Sequence, residues 1–159
     1  MSDTPLYTLD PLNRFSDRAS DYVKYRPSYP ASAIDTILSG LATPLVAADI
    51  GAGTGISARL LGDRGVRVWA IEPNTAMSQL AQPHLQVQYR QATAEQTGLP
   101  DRSVDLVTCF QAFHWFNPDP TLLEFARILK PSGRLALVWN TRDRGDSFSD
   151  EYGELLRQA

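Results

Sequence analysis

The residues best suited to chemistry in this 159-residue chain form the run Asp49-Ile50-Gly51-Ala52-Gly53-Thr54-Gly55. Glycines accept positive φ and let a ligand approach the backbone closely. The spacing is G-x-G-x-G rather than the dinucleotide pattern G-x-G-x-x-G, because Ile56 occupies the last glycine's place. Asp49 sharpens that distinction. A carboxylate just ahead of the glycines would repel a pyrophosphate and would suit a ligand end bearing an ammonium group. The plainer reading of the run is a strand-to-helix turn. About 20 residues further on, Glu72-Pro73-Asn74 places an acid where it can accept both hydroxyls of a ribose. Without a ligand, Glu72 would be a helix-start charge. The loop 91–100, QATAEQTGLP, could read an adenine edge with its backbone, and Glu95 in it is either a ligand contact or a solvated charge.

A fourth stretch, residues 109–120, reads CFQAFHWFNPDP and puts Gln111, His114 and Trp115 at the tip of an apolar run. His114, with an ordinary pKa near 6.5, could orient or deprotonate an acceptor. Alternatively, His114 and Trp115 close the strand end by packing alone. Cys109 reads as a small buried apolar residue of the strand.

The elements that must position these residues alternate along the chain. Short apolar or β-rich runs cover 45–50, 66–71, 85–90, 104–110 and 134–139. Between them, helical spacing covers 56–65, a segment opened by Pro73, and PTLLEFARILK at 120–130, which Pro131 and Gly133 should stop. Pro30 opens an earlier helix that Gly40 ends. Residues 1–13 read as an irregular lead-in. Strand–helix alternation predicts an α/β fold, with a doubly wound, mostly parallel sheet of about five strands and ligands at the carboxyl ends of the strands.

Composition narrows the function classes. The chain is 43% hydrophobic and 21% charged, with net charge −3 and a pI of about 5.3. One domain is expected, with no basic field to attract nucleic acid. A single cysteine excludes an intrachain disulfide. No apolar run approaches the roughly 20 residues that span a bilayer, and MSDTPLYTLD lacks the marks of a secretory signal. These features predict a cytoplasmic protein with no membrane or nucleic-acid partner and no metal.

Together the motifs resemble those of class I S-adenosylmethionine-dependent methyltransferases over residues 14 to 140. DIGAGTG resembles the family's first motif and AIEPN its acidic second-strand motif. ATAEQTGLPDRSVDLVTCFQAFHWF resembles the third and fourth, and RILKPSGRLALVWN the passage into the fifth strand. DYVKYRPSYP resembles the N-terminal segment of the branch acting on small molecules, which includes trans-aconitate methyltransferase-like proteins. The resemblance implies S-adenosyl-L-methionine as cofactor. Gly51, Ala52, Gly53, Thr54 and Gly55 would cradle its methionine part, and Asp49 would hold its ammonium directly or through water. Glu72 would bind the ribose beside Pro73 and Met77, and Ala94 and Glu95 would line the adenine. Phe110 and Gln111 would flank the sulfonium, with Tyr22 packed near it and Arg26 pairing with the cofactor carboxylate.

In that frame residues 1–30 form a lid, 31–140 the cofactor-binding core, and 141–159 a helix that begins a further region. The family's sixth and seventh strands have no counterpart in the sequence, which would leave the fifth-strand edge open to a second copy of the chain. The spare arginines of the lid favour a small acidic acceptor, and His114 is the candidate catalytic residue. Competing readings are a non-catalytic cofactor-binding module, a nicotinamide oxidoreductase and a nucleic-acid methyltransferase. The glycine spacing disfavours the oxidoreductase. The acidic pI disfavours the nucleic-acid enzyme, as does Asn117-Pro118-Asp119-Pro120 in place of an Asn-Pro-Pro-aromatic tetrapeptide.

Overall fold

A computed structural model describes residues 4–10 and 28–141. The expectations for Tyr22, Arg26 and the other cations of 14–26, and for a helix within 142–159, lie outside the described residues.

Pro30, with φ −60°, leads into α1 (Ala31–Leu38), and Gly40 follows it at φ +77°. There follow β1 (Val46–Ile50), α2 (Ile56–Gly62), β2 (Arg67–Ile71), α3 (Thr75–Gln79), β3 (Val87–Arg90), β4 (Val104–Phe110), α4 (Pro118–Ile128) and β5 (Leu129–Val138). The five strands make one sheet in the order β3-β2-β1-β4-β5, and every pairing is parallel. The chain therefore steps outward from β1 to β3 and returns to β4 on the other side of β1. That reversal places the ligand crevice at the tips of β1 and β4.

Side-chain alternation along the strands builds two cores. Ala47, Val68, Ala70, Leu106 and Phe110 pack with Ile34 of α1 and with Ala58 and Leu61 of α2 on one face. Ala48, Ile50, Ile71, Val107 and Cys109 pack with Phe125 and Ile128 of α4 on the other. Asp49 and Thr108 are Cα partners in the β1–β4 ladder, at positions that alternate onto the α2 face. Polar groups are thereby fixed inside an otherwise apolar layer.

Three expectations need correction. The helix expected over 120–130 runs from Pro118 to Ile128, because Asn117 starts it and Leu129 already pairs with Val104. β5 consequently begins before Pro131 rather than at Arg134. Its residues 130–133 bulge out between Leu129 and Arg134, opposite Asp105 alone. A Cβ on Gly133 would come within 2.9 Å of the Lys130 carbonyl, so only glycine fits that bulge. α3 starts at Thr75 rather than Pro73, because the Asn74 side chain caps it by accepting from the Met77 amide at 3.2 Å. The described part of the lead-in carries a 3-10 turn at Leu6–Thr8, against a second one at Phe113–Trp115.

Glu124 of α4 fastens the 93–101 loop that borders the crevice. Its Oε1 accepts from the Thr97 amide at 2.8 Å and hydroxyl at 2.6 Å, and Arg127 donates to both of its oxygens. Arg127 also reaches Asp101 and the Leu99 carbonyl. The Arg127 guanidinium is the main cause that holds the Glu124 carboxyl at about 2, against an ordinary 4.5. Because the folded state lowers this pKa, the stabilisation is complete above pH 4.5 and is lost as pH falls toward 2. Arg127 is partly exposed, so the contribution is on the order of 2 kcal/mol. Urea unfolding of Glu124→Gln should show that loss at neutral pH and a flatter acid limb than wild type. An unchanged acid limb would remove Glu124 from the account.

Candidate functional site

The tips of β1, β2 and β4, the loop after β3 and the two 3-10 turns enclose a cavity of about 520 Å³. Sites for small molecules and cofactors typically span about 300–1,000 Å³. Of the residues singled out in the sequence, Gly51, Gly53, Glu72, Pro73, Met77, Ala94, Glu95, Phe110, Gln111 and Trp115 line it. Segments far apart in the chain are thus brought to one wall.

Glu72 is the organising acid. It is buried, its Oε2 accepts from the Gly53 amide at 2.8 Å, and its Oε1 accepts from the Asn74 amide at 2.8 Å. Burial raises its pKa, while the two amide donors oppose the rise. Each carboxylate oxygen has a second lone pair, so acceptor capacity remains on the cavity side.

Asp49, which the resemblance has holding the cofactor ammonium directly or through water, lies behind the cavity wall. It is fully buried and absent from the cavity lining, beneath the glycine loop. Ser57 donates to its Oδ2 at 2.6 Å and Thr108 to its Oδ1 at 2.8 Å. Burial pushes its carboxyl up to about 6 from an ordinary 3.8, the two hydroxyls counter that shift, and the Glu72 charge adds to it.

The glycine loop itself is well held. Gly51, Gly53 and Gly55 have φ of +70°, +55° and +79°. A Cβ on Gly51 would sit 2.7 Å from the Ala112 Cβ and 2.9 Å from Phe116. Ala52 and Thr54 do not reach the main cavity; they line a narrow cleft beside it with Tyr29, Ile56, Ser57 and Phe110. Gly55 lines neither space.

At the β4 tip Gln111 has φ +56°, a left-handed conformation seldom adopted by a non-glycine residue. Such strain clusters at functional sites. The neighbouring His114 does not reach the cavity. It is exposed, and its Nδ1 accepts from the Trp139 indole N–H at 3.2 Å. Of the three residues at this tip, Gln111 and Trp115 line the cavity and His114 does not.

Several further lining residues were not among the expected contacts. Tyr7, Thr8 and Asp10 come from the lead-in, and Asn74, Thr93, Ala112, Phe116 and Asn117 complete the wall. The Asn117 amide donates to Glu95 at 3.1 Å, which ties the α4 start to the loop after β3. Asn74 could have been found from the sequence as a cap residue after Glu72-Pro73. Tyr7 to Asp10 left no signal.

The charge of the lining is distinctive. Asp10, Glu72 and Glu95 contribute carboxylates, and none of the described lining residues is Lys, Arg or His. S-adenosylmethionine, with a sulfonium, an ammonium and a ribose, matches this lining in size, in charge and in the spare acceptor capacity of Glu72. No group of three or more His, Cys, Asp or Glu among the described residues is arranged to hold a metal ion. No helix among them is long and apolar enough to cross a membrane.

The buried Asp49 generates a prediction. A carboxyl whose folded-state pKa is raised makes the protein less stable as pH climbs from 3.8 to about 6, because the folded state must give up a proton it holds more tightly. Over that window the stability of Asp49→Asn relative to wild type should rise by on the order of 2 kcal/mol. Chemical unfolding of both proteins across the window measures this. A constant difference would mean that burial does not raise the Asp49 pKa above its unfolded value.

Comparison with known proteins agrees with this geometry. Residues 48–137 match the family model described as a methyltransferase domain. An uncharacterized methyltransferase of Mycobacterium bovis is 41% identical over 143 residues, covering 89% of this chain and 58% of its own length, and one from Mycobacterium tuberculosis gives the same figures. The chain thus spans 58% of the length of these curated relatives. A candidate type II methyltransferase of Anaeromyxobacter dehalogenans superposes with a TM-score of 0.73 at 32% identity, over 84% of this chain and 59% of that one. A methyltransferase assigned to an antibiotic biosynthesis pathway of Anabaena variabilis superposes with a TM-score of 0.66 at 33% identity, over 80% and 52%. With a family match across more than half of its residues, and with the glycine loop, the acidic β2 tip and the five-strand parallel sheet in place, the chain belongs to the class I S-adenosylmethionine-dependent methyltransferases, a family whose cofactor is S-adenosylmethionine.

Proposed function

We propose that the chain binds S-adenosylmethionine in the 520 Å³ cavity and directs its methyl group to an O, N or C atom of a small molecule by in-line displacement. The observation that carries this reading is the continuous wall from Glu72 and the glycine loop at one end to Gln111 and Trp115 at the other. When bound, the cofactor supplies a methyl group already activated by the sulfonium charge. The residues need only bind, align and exclude water. Glu72 accepts from the ribose hydroxyls, with Pro73 and Met77 against the sugar. Ala94 and Glu95 border the adenine. Phe110, Gln111 and Trp115 close the reacting end. Asp49 acts from below the loop through its negative charge. A carboxylate acceptor would need no base, so the exposed position of His114 does not weigh against the chemistry.

The Anabaena relative assigned to antibiotic biosynthesis supports a small-molecule acceptor. An acidic acceptor, as in the trans-aconitate methyltransferase-like branch, would depend on the cations of 14–26, since the charged side chains of the described lining are all carboxylates. A cytoplasmic setting, a lid over residues 1–30, a core over 31–140 and a homodimer through the β5 edge belong to the same proposal. Leu135 and Trp139 are exposed at that edge. A second reading is a cofactor-binding module that turns over only with further chain or a partner; the 58% coverage of the relatives favours it.

Calorimetry with S-adenosylmethionine and S-adenosylhomocysteine should detect binding, and either ligand should raise the melting temperature. Glu72→Ala should weaken both at least tenfold, since hydrogen bonds to a charged group are each worth about 1.5–3 kcal/mol. Stabilisation by nicotinamide dinucleotides but not by S-adenosylhomocysteine would refute the reading. Unchanged affinity in Glu72→Ala would limit Glu72 to holding the loop.

A further inference from the structure

We infer that Tyr89 is a positioning residue for the cofactor: its phenol hydroxyl, reaching over from the edge strand β3, holds the Gly53 carbonyl and thereby sets the loop in its binding shape before the ligand arrives. This inference rests on the proposed cofactor reading.

Gly53 is held on both sides. Its N–H donates to Glu72 at 2.8 Å and its C=O accepts from the Tyr89 hydroxyl at 3.2 Å. The first bond anchors the peptide that sets φ, here +55°, and the second anchors the peptide that sets ψ. A glycine has more conformational freedom to lose than any other residue, so a glycine fixed at both ends removes an ordering cost that binding would otherwise carry. The rest of the loop is already tied. Ile71 accepts from the Gly51 and Ala52 amides, Arg59 donates to the Thr54 carbonyl, and Gly55 donates to Ala52. Without the Tyr89 hydroxyl, the Gly53 carbonyl would lose its hydrogen-bond donor among the described residues.

Two further observations point to the hydroxyl rather than the ring. Tyr89 borders a separate cavity of about 280 Å³, shared with Ser78, Gln82, His84 and Val87, so packing does not enclose it. A Cβ on Gly55 would overlap the Tyr89 hydroxyl oxygen, whereas the ring carbon Cζ would lie at an ordinary 3.4 Å. The hydroxyl thus accounts for the third glycine of the loop. Burial pushes the phenol pKa upward, with Asp49 adding to the rise, so the group remains a proton donor at neutral pH.

The test uses the full chain with S-adenosylhomocysteine as probe. Tyr89→Phe keeps the ring and deletes one hydrogen bond. The dissociation constant should rise about 3- to 10-fold with little change in melting temperature. In the ligand-free protein, amide hydrogen exchange at Gly53, Thr54 and Gly55 should accelerate. Gly55→Ala should cost less stability in the Tyr89→Phe background than in wild type, because the overlap is gone and only the positive-φ strain remains. Unchanged exchange at these amides, or faster exchange with affinity within twofold of wild type, would overturn the inference. Wild-type protein that binds no S-adenosylhomocysteine would refute the cofactor reading instead. The exchange data separate that result from a failed clamp.

Discussion

The carboxylate of Glu72 spans two backbone amides, Gly53 on one side and Asn74 on the other, and the shape of the site depends on that bridge. Gly53 belongs to the turn after β1 and Asn74 caps the helix after β2. Parallel pairing of Asp49 with Ala70 and of Ile50 with Ile71 brings the two strand tips level, and the acid then ties the turns that leave them. A buried carboxylate with too few donors would shift its pKa until it neutralised. Here two amides compensate part of the desolvation, and each oxygen retains capacity to accept from a ligand.

A second carboxylate lies deeper. Asp49 has hydroxyl partners on both oxygens, and no ion pair to it is found among the described residues. With Glu72 close enough to raise its pKa, the two acids make the floor of the cavity electronegative. Such a floor costs stability in the ligand-free protein and favours a cationic ligand over a neutral or anionic one. The acids that make the fold less comfortable are the ones that suit it to a sulfonium, a trade between stability and function that binding sites commonly show.

The parts of this arrangement visible in the sequence are those that rest on local pattern. The tips of β1 and β2, the residues of β4 and the parallel α/β class followed from apolar runs punctuated by glycine and proline. Glu72 stood out because its distance from the glycines follows from one strand–helix–strand unit. What escaped depends on long-range geometry. Asp49 was visible as an acid, but its burial depends on Thr108, which only the β1–β4 pairing brings alongside. The left-handed φ of Gln111 has no residue-type signal, since glycine or asparagine would be the usual choice. Tyr7, Thr8 and Asp10 reach the cavity through packing of one 3-10 turn on another, which no periodicity announces. The late end expected for α4 came from reading Pro131 as the stop, whereas Leu129 had already joined the sheet. The position of His114 in the chain allowed either an acceptor contact or strand-end packing; it lies in a 3-10 turn, is exposed and accepts from the Trp139 indole.

In the proposed function one cavity, organised by Glu72, takes S-adenosylmethionine across the tips of β1, β2 and β4. Amide chemical-shift mapping by NMR during titration with S-adenosylhomocysteine tests it most directly. The account predicts saturable shifts at Gly51, Gly53, Asn74, Ala94, Glu95 and Gln111, with little change along the β3 residues facing the separate cavity. Saturating ligand that leaves these amides unmoved, or shifts confined to another surface, would contradict it.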